Sequence, residues 1–189
     1  MLTYPTWSSR QLVSATDLNQ YLHDNTKQLT SPSALRVKGL DTLTSFTSRT
    51  PVKWDQIDFQ RQGWSSSNMT KFKCPSAGTY FVTANFTFRP PSDMDGKKAA
   101  MLDAVVSTSA PNDDSTYDAL KSLTTTKIIG SYVSVNTSGL VHIPEGFLLF
   151  AHVAGWGGTW TKPPSENASW SMNSLSAVQV APDAKELGG

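Results

Sequence analysis

The chain has 189 residues, which suits one domain with an appendage, since single domains usually span roughly 100–200 residues. Charged residues make up only 16% of it and the formal net charge is +1, so electrostatics give no argument for binding nucleic acid or an anionic membrane. A single cysteine, Cys74, excludes an internal disulfide and a cysteine-based zinc site, and no apolar run approaches the ~18 residues of a membrane span.

The first predicted element is an amphipathic helix over residues 15–29. Its apolar stripe consists of Leu18, Tyr21, Leu22 and Leu29. Isolated helices of about 15 residues are marginal in water, so this one needs a surface to lie on. Upstream, Tyr4 and Trp7 offer two aromatic contacts in an extended segment. We therefore expect residues 1–31 to form an N-terminal anchoring arm.

From residue 32 onward the sequence is β in character. In the clearest strand, which starts at Thr79, the residues of one face are Tyr80, Val82, Ala84, Phe86 and Phe88. Further strands are predicted at 34–37, 51–59, 101–108, 127–135, 139–143, 148–153 and 170–180, with turns rich in Gly, Pro, Asn and Asp between them. This pattern predicts an all-β sandwich or jelly roll over 32–181, followed by a flexible tail at 182–189.

A short break, CPSAG, separates the strand at Thr79 from the weaker pattern before it. Pro75 removes one backbone donor from a sheet ladder, and Gly78 can adopt a backbone conformation that other residues avoid. The break is therefore predicted to be a tight connection between consecutive strands. Cys74, next to the proline, is expected to be a small buried apolar residue.

The break and its flanks resemble the globular heads of the C1q and tumour-necrosis-factor-like family. The matching residues are Phe72, Pro75, Gly78, Tyr80 and Phe81. The stretch 138–153 resembles the late strand pair of that family, with Glu145-Gly146 in place of the usual Gly-Asp turn. The resemblance covers roughly residues 32–180. It implies a C1q/TNF-like jelly roll that assembles as a homotrimer around apolar faces.

The N-terminal residues resemble a different group, the start of many bacteriophage virion proteins. The matching residues are Trp7, Leu12, Val13, Ala15, Asp17, Leu18, Asn19, Tyr21, Asp24, Asn25 and Leu29. In those proteins a similar arm leads into a C1q-like head through a strand like the one at 34–37. The resemblance implies a virion protein made in the host bacterial cytoplasm, in keeping with an N-terminus that lacks the pattern of a secretory signal.

No catalytic or metal-binding constellation is evident. The histidines, His23, His142 and His152, lack metal-ligand spacing, although we expect the last two on neighbouring strands. The acidic turn at 93–96 lacks the acid expected at the twelfth position of a calcium loop. Some C1q-like heads bind calcium, so the resemblance allows a calcium site, but we expect no resident metal or cofactor. A glycan hydrolase would need two carboxylates that face each other in a cleft. The acidic residues of this sequence fall in turns and no two of them can be paired, so we do not expect an enzyme.

Three tryptophans next to glycines are candidate contact residues. Trp156 and Trp160 lie in the run GWGGTW, and Trp64 follows Gly63. Exposed aromatic side chains on loops can stack on sugars, whereas buried ones pack beneath the loop or into a subunit interface. Packing is the favoured interpretation, and contact with a host surface glycan is the alternative.

These observations favour a virion structural protein. Three heads would associate, and the arms would bind phage capsid or tail proteins. Because the arm is short and no shaft follows it, a capsid decoration protein (a cement or head-fibre protein) is favoured over a tail-fibre or receptor-binding head. A carbohydrate-binding module that uses Trp156 and Trp160 is the second hypothesis, and an enzyme is the third.

Overall fold

A computed structural model describes residues 3–4, 14–92, 99–112, 115–127, 131–164, 171–183 and 185–186. The described residues form one helix, α1 (Ala15–Thr30), and fourteen strands. The strands are β1 (Thr3–Tyr4), β2 (Ala34–Leu40), β3 (Ser45–Phe46), β4 (Thr50–Pro51), β5 (Trp54–Arg61), β6 (Lys71–Lys73), β7 (Gly78–Phe88), β8 (Ala100–Ser109), β9 (Tyr117–Thr126), β10 (Val133–Ile143), β11 (Leu148–Trp156), β12 (Trp160–Thr161), β13 (Ser174–Pro182) and β14 (Lys185–Glu186).

Most of the strands form two antiparallel sheets. Sheet I has the order β10-β7-β13-β2-β5, and sheet II has the order β4-β11-β8-β9, with β6 also paired to β11. Neighbours within each sheet are mostly distant in sequence, as when the last long strand, β13, lies between β7 and β2. Such crossings between two sheets are typical of a jelly roll.

The core lies between the inner faces of the two sheets. The predicted inward residues of β7 are all buried: Tyr80, Val82, Ala84, Phe86 and Phe88. Aromatic contacts fill the space between the sheets, because Trp54 stacks on Phe86 at 5.8 Å and Phe46 meets Phe88 edge to face at 4.7 Å. The alternation predicted for this strand is thus confirmed.

The CPSAG break forms the predicted tight connection between β6 and β7. The backbone of Cys74 donates to the carbonyl of Phe147 at 2.7 Å and accepts from the backbone of Gly146 at 2.9 Å. A Cβ on Gly78 would lie 2.5 Å from the carbonyl oxygen of Ala181, so only glycine fits there. Cys74 is buried as expected, and burial raises the pKa of its thiol.

Strands β9 and β10 differ from the sequence prediction. Strand β9 was not predicted, because its residues at the edge of sheet II are largely exposed and carry little apolar alternation. Strand β10 is continuous, whereas we expected separate strands at 127–135 and 139–143. Gly139 falls in its middle because the Leu120 side chain of β9 occupies the space there, only 2.7 Å from the position of a Cβ.

The segment 51–59, which we predicted as one strand, is divided between the two sheets. Strand β4 pairs with β11 of sheet II, whereas β5 pairs with β2 of sheet I. Val52 lies between them and is fully buried at the crossing. The prediction was wrong because an alternating pattern does not show where a strand leaves one sheet for the other.

The N-terminal helix forms close to its predicted bounds, ending one residue later. It is neither long nor apolar enough to cross a membrane. Strand β1 pairs in parallel with β14, with Thr3 opposite Lys185. Strand β14 lies within residues 182–189, which we expected to be a flexible tail. The two ends of the described chain are therefore joined by backbone pairing.

The close fit of Gly155 against the core supports a first prediction. A Cβ on Gly155 would lie 2.3 Å from Cδ1 of Trp160 and 3.0 Å from Cε2 of Phe46, and both rings are buried. We expect Gly155→Ala to lower the free energy of unfolding by about 1–3 kcal/mol, measured by urea denaturation. In a Trp160→Leu background the same substitution should cost clearly less, and equal costs in the two backgrounds would contradict this account.

Candidate assembly and contact surfaces

The outer face of sheet I carries three exposed apolar side chains on adjacent strands. Leu140 of β10, Phe81 of β7 and Val178 of β13 lie opposite one another, and they are 66%, 46% and 40% exposed. We call these three residues the apolar row. Outward positions of an antiparallel sheet that faces water are usually polar, so an apolar row across three strands indicates a contact surface.

The rest of this outer face is polar but carries few charges. On its three strands β10, β7 and β13, the outward residues beyond the apolar row include Ser134, Asn136, Ser138, Thr83, Asn85, Ser174 and Ser176. Asn136 donates to the side-chain oxygen of Asn85, whose amide donates to Ser174 Oγ at 3.4 Å. Depletion of charge with apolar residues at the centre is typical of a protein–protein interface.

Charged residues begin at the β2 and β5 side of the same face. Asp58 lies 2.6 Å from Lys38 and 3.5 Å from Arg36. The hydrogen bond from Lys38 is the main cause that lowers the pKa of Asp58. A shallow groove of about 590 Å³ runs between Asp58, Phe59 and Val178, so the apolar row continues into a concave, charged border.

The N-terminal helix carries further exposed apolar side chains. Leu18 and Leu22 of α1 are both exposed, four residues apart on one side of the helix. The side chains of Tyr4, Tyr21 and Leu29, and the whole of Trp7, lie outside what the structure describes. Their assignment to the arm contact stays a prediction.

The three candidate tryptophans lie in two different environments. Trp64 and Trp160 are buried in the core: Trp64 donates to Ser33 Oγ at 2.9 Å, and Trp160 donates to the carbonyl of Trp156 at 3.3 Å. Neither ring is available to a sugar, and both follow the favoured interpretation of packing beneath the loop. Trp156 is 44% exposed on the outer face of sheet II, so it alone of the three can contact a ligand.

The histidines do not form a site together. His142 lies on β10 of sheet I and His152 on β11 of sheet II, so our expectation that they occupy neighbouring strands was wrong. The chain crosses from sheet I to sheet II between β10 and β11, so these two consecutive strands do not pair. Among the described residues, no group of three or more His, Cys, Asp or Glu side chains is arranged to hold a metal ion. The acidic turn at 93–96 lies outside the described residues.

His152 instead belongs to a polar network across sheet II. Arg49, next to β4, binds both carboxylate oxygens of Asp118 on β9, at 2.5 and 3.1 Å. Its guanidinium also lies 3.2 Å from Ser107 Oγ and 3.4 Å from His152 Nδ1. Arg49 therefore bridges the two edges of the sheet, and its hydrogen bonds lower the pKa of Asp118. No sequence pattern connected these residues, since they are far apart along the chain.

The apolar row carries a signal that is visible in the sequence. Phe81 interrupts a face of β7 that is otherwise polar, and Leu140 does the same on β10. A large apolar side chain at an outward position of an amphipathic strand is the pattern that would have identified them.

Comparison with known proteins supports the fold alone. No protein-family model and no curated protein sequence matches the chain. Among solved structures, the crystal structure of murine APRIL is similar, with a TM-score of 0.55 and 15% sequence identity, covering 78% of this chain and 98% of that one. APRIL is a jelly roll of the tumour-necrosis-factor family, so the predicted TNF/C1q-like β-sandwich is confirmed.

The environment of His152 predicts a pH-dependent stability. Burial, reinforced by the Arg49 charge, lowers its pKa from 6.5 to about 4. Between these values the unfolded chain binds a proton that the folded chain does not, so stability falls as the pH drops from about 6.5 to about 4. We expect this histidine to contribute a loss of about 1–3 kcal/mol, measured by urea denaturation across that range.

The matched control is His152→Gln, which keeps a polar side chain but cannot titrate. This variant should lose most of the pH dependence between about 6.5 and 4. The acid-labile Arg49–Asp118 pair should still weaken the fold at lower pH, because the pKa of Asp118 is below its usual value. An unchanged slope in the variant would show that another group titrates in this window.

Proposed function

We propose that this chain is a structural protein of a bacteriophage virion, displayed on the particle as a homotrimer through its N-terminal arm. The observation that carries the proposal is the presence of two separate exposed apolar surfaces: the apolar row on the head, and Leu18 with Leu22 on α1. One surface can join copies of the head while the other binds a different protein. A protein with two such surfaces can form an oligomer and attach that oligomer to a particle at several points.

The apolar row is assigned to contact between heads. C1q and tumour-necrosis-factor-like heads assemble as trimers around apolar faces, and the present head shares their jelly roll. Burying Leu140, Phe81 and Val178 against other copies would contribute about 25 cal/mol per Å² of apolar surface removed from water. The uncharged polar residues around them can approach a neighbour with little desolvation cost compared with ionised groups.

The arm is assigned to attachment. Its sequence resembles the start of many phage virion proteins, and its helix presents Leu18 and Leu22 to a partner. The expected partner is a capsid or tail protein with an apolar groove, because an amphipathic helix docks by placing its apolar stripe in such a groove. Three arms on one trimer raise the effective concentration of each, so individually weak contacts together keep the trimer attached to the particle.

A capsid decoration role, as a cement or head-fibre protein, is the favoured form of this proposal. Helix α1 ends at Thr30 and β2 begins at Ala34, so the head stays close to the surface that the arm binds. Such a head can reinforce a shell by contacting neighbouring capsid subunits. In this role the protein needs no catalytic residues, no cofactor and no contact with nucleic acid.

The second candidate is a tail-fibre or receptor-binding head that recognises a host surface glycan. Trp156 favours it, because this half-exposed indole lies on the outer face of sheet II, opposite the proposed contact between heads. Cryo-electron microscopy of the assembled particle distinguishes the two. Density on the capsid shell supports decoration, density at the tail or on fibres supports adsorption, and absence of the chain from purified virions overturns the proposal.

The trimer has its own test. Leu140→Asp places a charge in the apolar row and should convert the wild-type homotrimer into monomers, as measured by size-exclusion chromatography with light scattering. Leu123→Asp is the matched control, because this leucine is similarly exposed but lies on sheet II. The control should remain trimeric. A monomeric wild-type chain, or a Leu140→Asp variant that remains trimeric, would contradict the assignment of this face.

The arm is tested in the full-length chain. Leu18→Asp combined with Leu22→Asp should leave the head folded and trimeric, since both leucines are exposed. Incorporation into particles, measured by complementation and quantitative mass spectrometry of purified virions, should drop at least about tenfold. The control is Gln20→Asp with Thr26→Asp, which adds the same charge at exposed polar positions of the helix. Normal incorporation of the leucine variant would exclude α1 as the attachment element.

A further inference from the structure

An unusual carboxylate lies on the outer face of sheet II. Asp103 on β8 is flanked by the core residues Leu102 and Ala104, so its side chain points outward, yet the residue is only 1% exposed. Its Oδ2 lies 2.9 Å from Lys121 Nζ, whereas its Oδ1 is buried without a hydrogen-bond partner. A buried acceptor without a hydrogen bond lowers the stability of the fold, and a charged one lowers it more. A ligand that donates a hydrogen bond to Oδ1 would remove this penalty.

The exposed tryptophan lies beside this carboxylate. On the outer face, Asp103 is opposite Ala154 of β11, and the next outward pair along the same two strands is Met101 opposite Trp156. Diagonal neighbours of this kind have Cα atoms roughly 7–8 Å apart, within reach of an aromatic side chain. Ala154 has no bulk to separate the two. The geometry therefore places a half-exposed indole next to an acceptor that lacks a donor.

We propose that this corner of sheet II binds the neutral pyranose ring of a glycan. The apolar face of the sugar would stack on Trp156, and a ring hydroxyl would donate to Asp103 Oδ1. The side chain of Lys121 is 59% exposed, so it can change rotamer, leave Asp103 Oδ2 and donate to a second sugar oxygen. The inference deepens the glycan role considered for Trp156 in the second candidate function, and it does not depend on where the protein is mounted.

The size and charge of the surface favour a sugar over a protein or a nucleic acid. Phe150 and Val105 share this outer face but are already buried within the chain, and the large apolar side chains exposed near Asp103, among the described residues, are Trp156 on β11 and Leu123 on β9. Two such side chains offer far less than the roughly 800 Å² per partner of a standard protein interface. Asp103 repels anionic ligands such as nucleic acid, whereas uncharged hydroxyl groups supply the donor that it lacks.

The test uses the whole 189-residue chain in its native assembly and a panel of immobilised neutral oligosaccharides that present glucose, galactose and mannose. The best partner is then titrated as the free methyl glycoside or oligosaccharide by calorimetry. We expect Trp156→Ala to weaken binding at least about tenfold through loss of the stacking face. Asp103→Asn, which preserves shape but removes the charged acceptor, should also weaken it about tenfold. Tyr117→Ala, an exposed aromatic elsewhere on sheet II, should bind like the wild type.

The outcomes separate this inference from the proposed virion role. If no neutral glycan binds the wild type, or if Trp156→Ala and Asp103→Asn both bind like the wild type, the glycan site is overturned. Thermal unfolding shows whether the Asp103→Asn variant is folded. If it is not, glycan binding by Trp156→Ala alone decides the outcome, because removing a half-exposed ring should leave the fold intact. A Leu140→Asp variant that remains trimeric, or normal incorporation of the Leu18/Leu22 variant, would instead count against the virion proposal.

Discussion

The whole head depends on the burial of one side of strand β7 between two sheets. This strand lies inside sheet I, paired with β10 on one side and β13 on the other, and its inward side chains fill the space against sheet II. Tyr80 meets Trp64 edge to face, and Phe86 stacks on Trp54. Because side chains alternate strictly along a strand, burying this face also fixes what the other face shows to solvent.

That constraint determines where the contact surfaces lie. Once Tyr80 and Val82 point inward, Phe81 must point outward, and the register with β10 and β13 brings Leu140 and Val178 beside it. The outer face of sheet II is different in character. There Phe150 and Val105 are already covered and Arg49 bridges to Asp118, whereas Trp156 and, opposite Asp103, Leu123 stay exposed. The head therefore offers an apolar row within a largely uncharged polar face on one side and a small polar and aromatic corner on the other.

The two faces suit different kinds of contact. A broad sheet face that carries an apolar row and few charges can form a large interface in which apolar and uncharged polar contacts add up. A small corner with one indole and one unsatisfied carboxylate can only bind a small group, but it can do so selectively, because a ligand without a matching donor leaves Asp103 Oδ1 unpaired. In the function that we propose, attachment through α1 leaves both faces of the head available for these contacts.

Local sequence determined much of the architecture. The alternation from Thr79 to Phe88, the CPSAG connection and the helix at Ala15–Thr30 were all predicted, because each follows from side-chain periodicity or turn chemistry within a few residues. The arm contacts and the trimer were implied by resemblance and stay predictions. Strand β9 escaped detection because an exposed edge strand needs little apolar alternation.

What only the tertiary structure decided were the contacts between residues distant along the chain. The crossing at Val52, the buried positions of Trp64 and Trp160, the bridge from Arg49 to Asp118 and the unsatisfied oxygen of Asp103 all depend on which strands become neighbours. Periodicity shows which side chains share a face, but it does not show which strand lies beside another. The sequence by itself therefore determined the strands, the turns and the inward face of β7, whereas strand order decided which outward residues form a surface together.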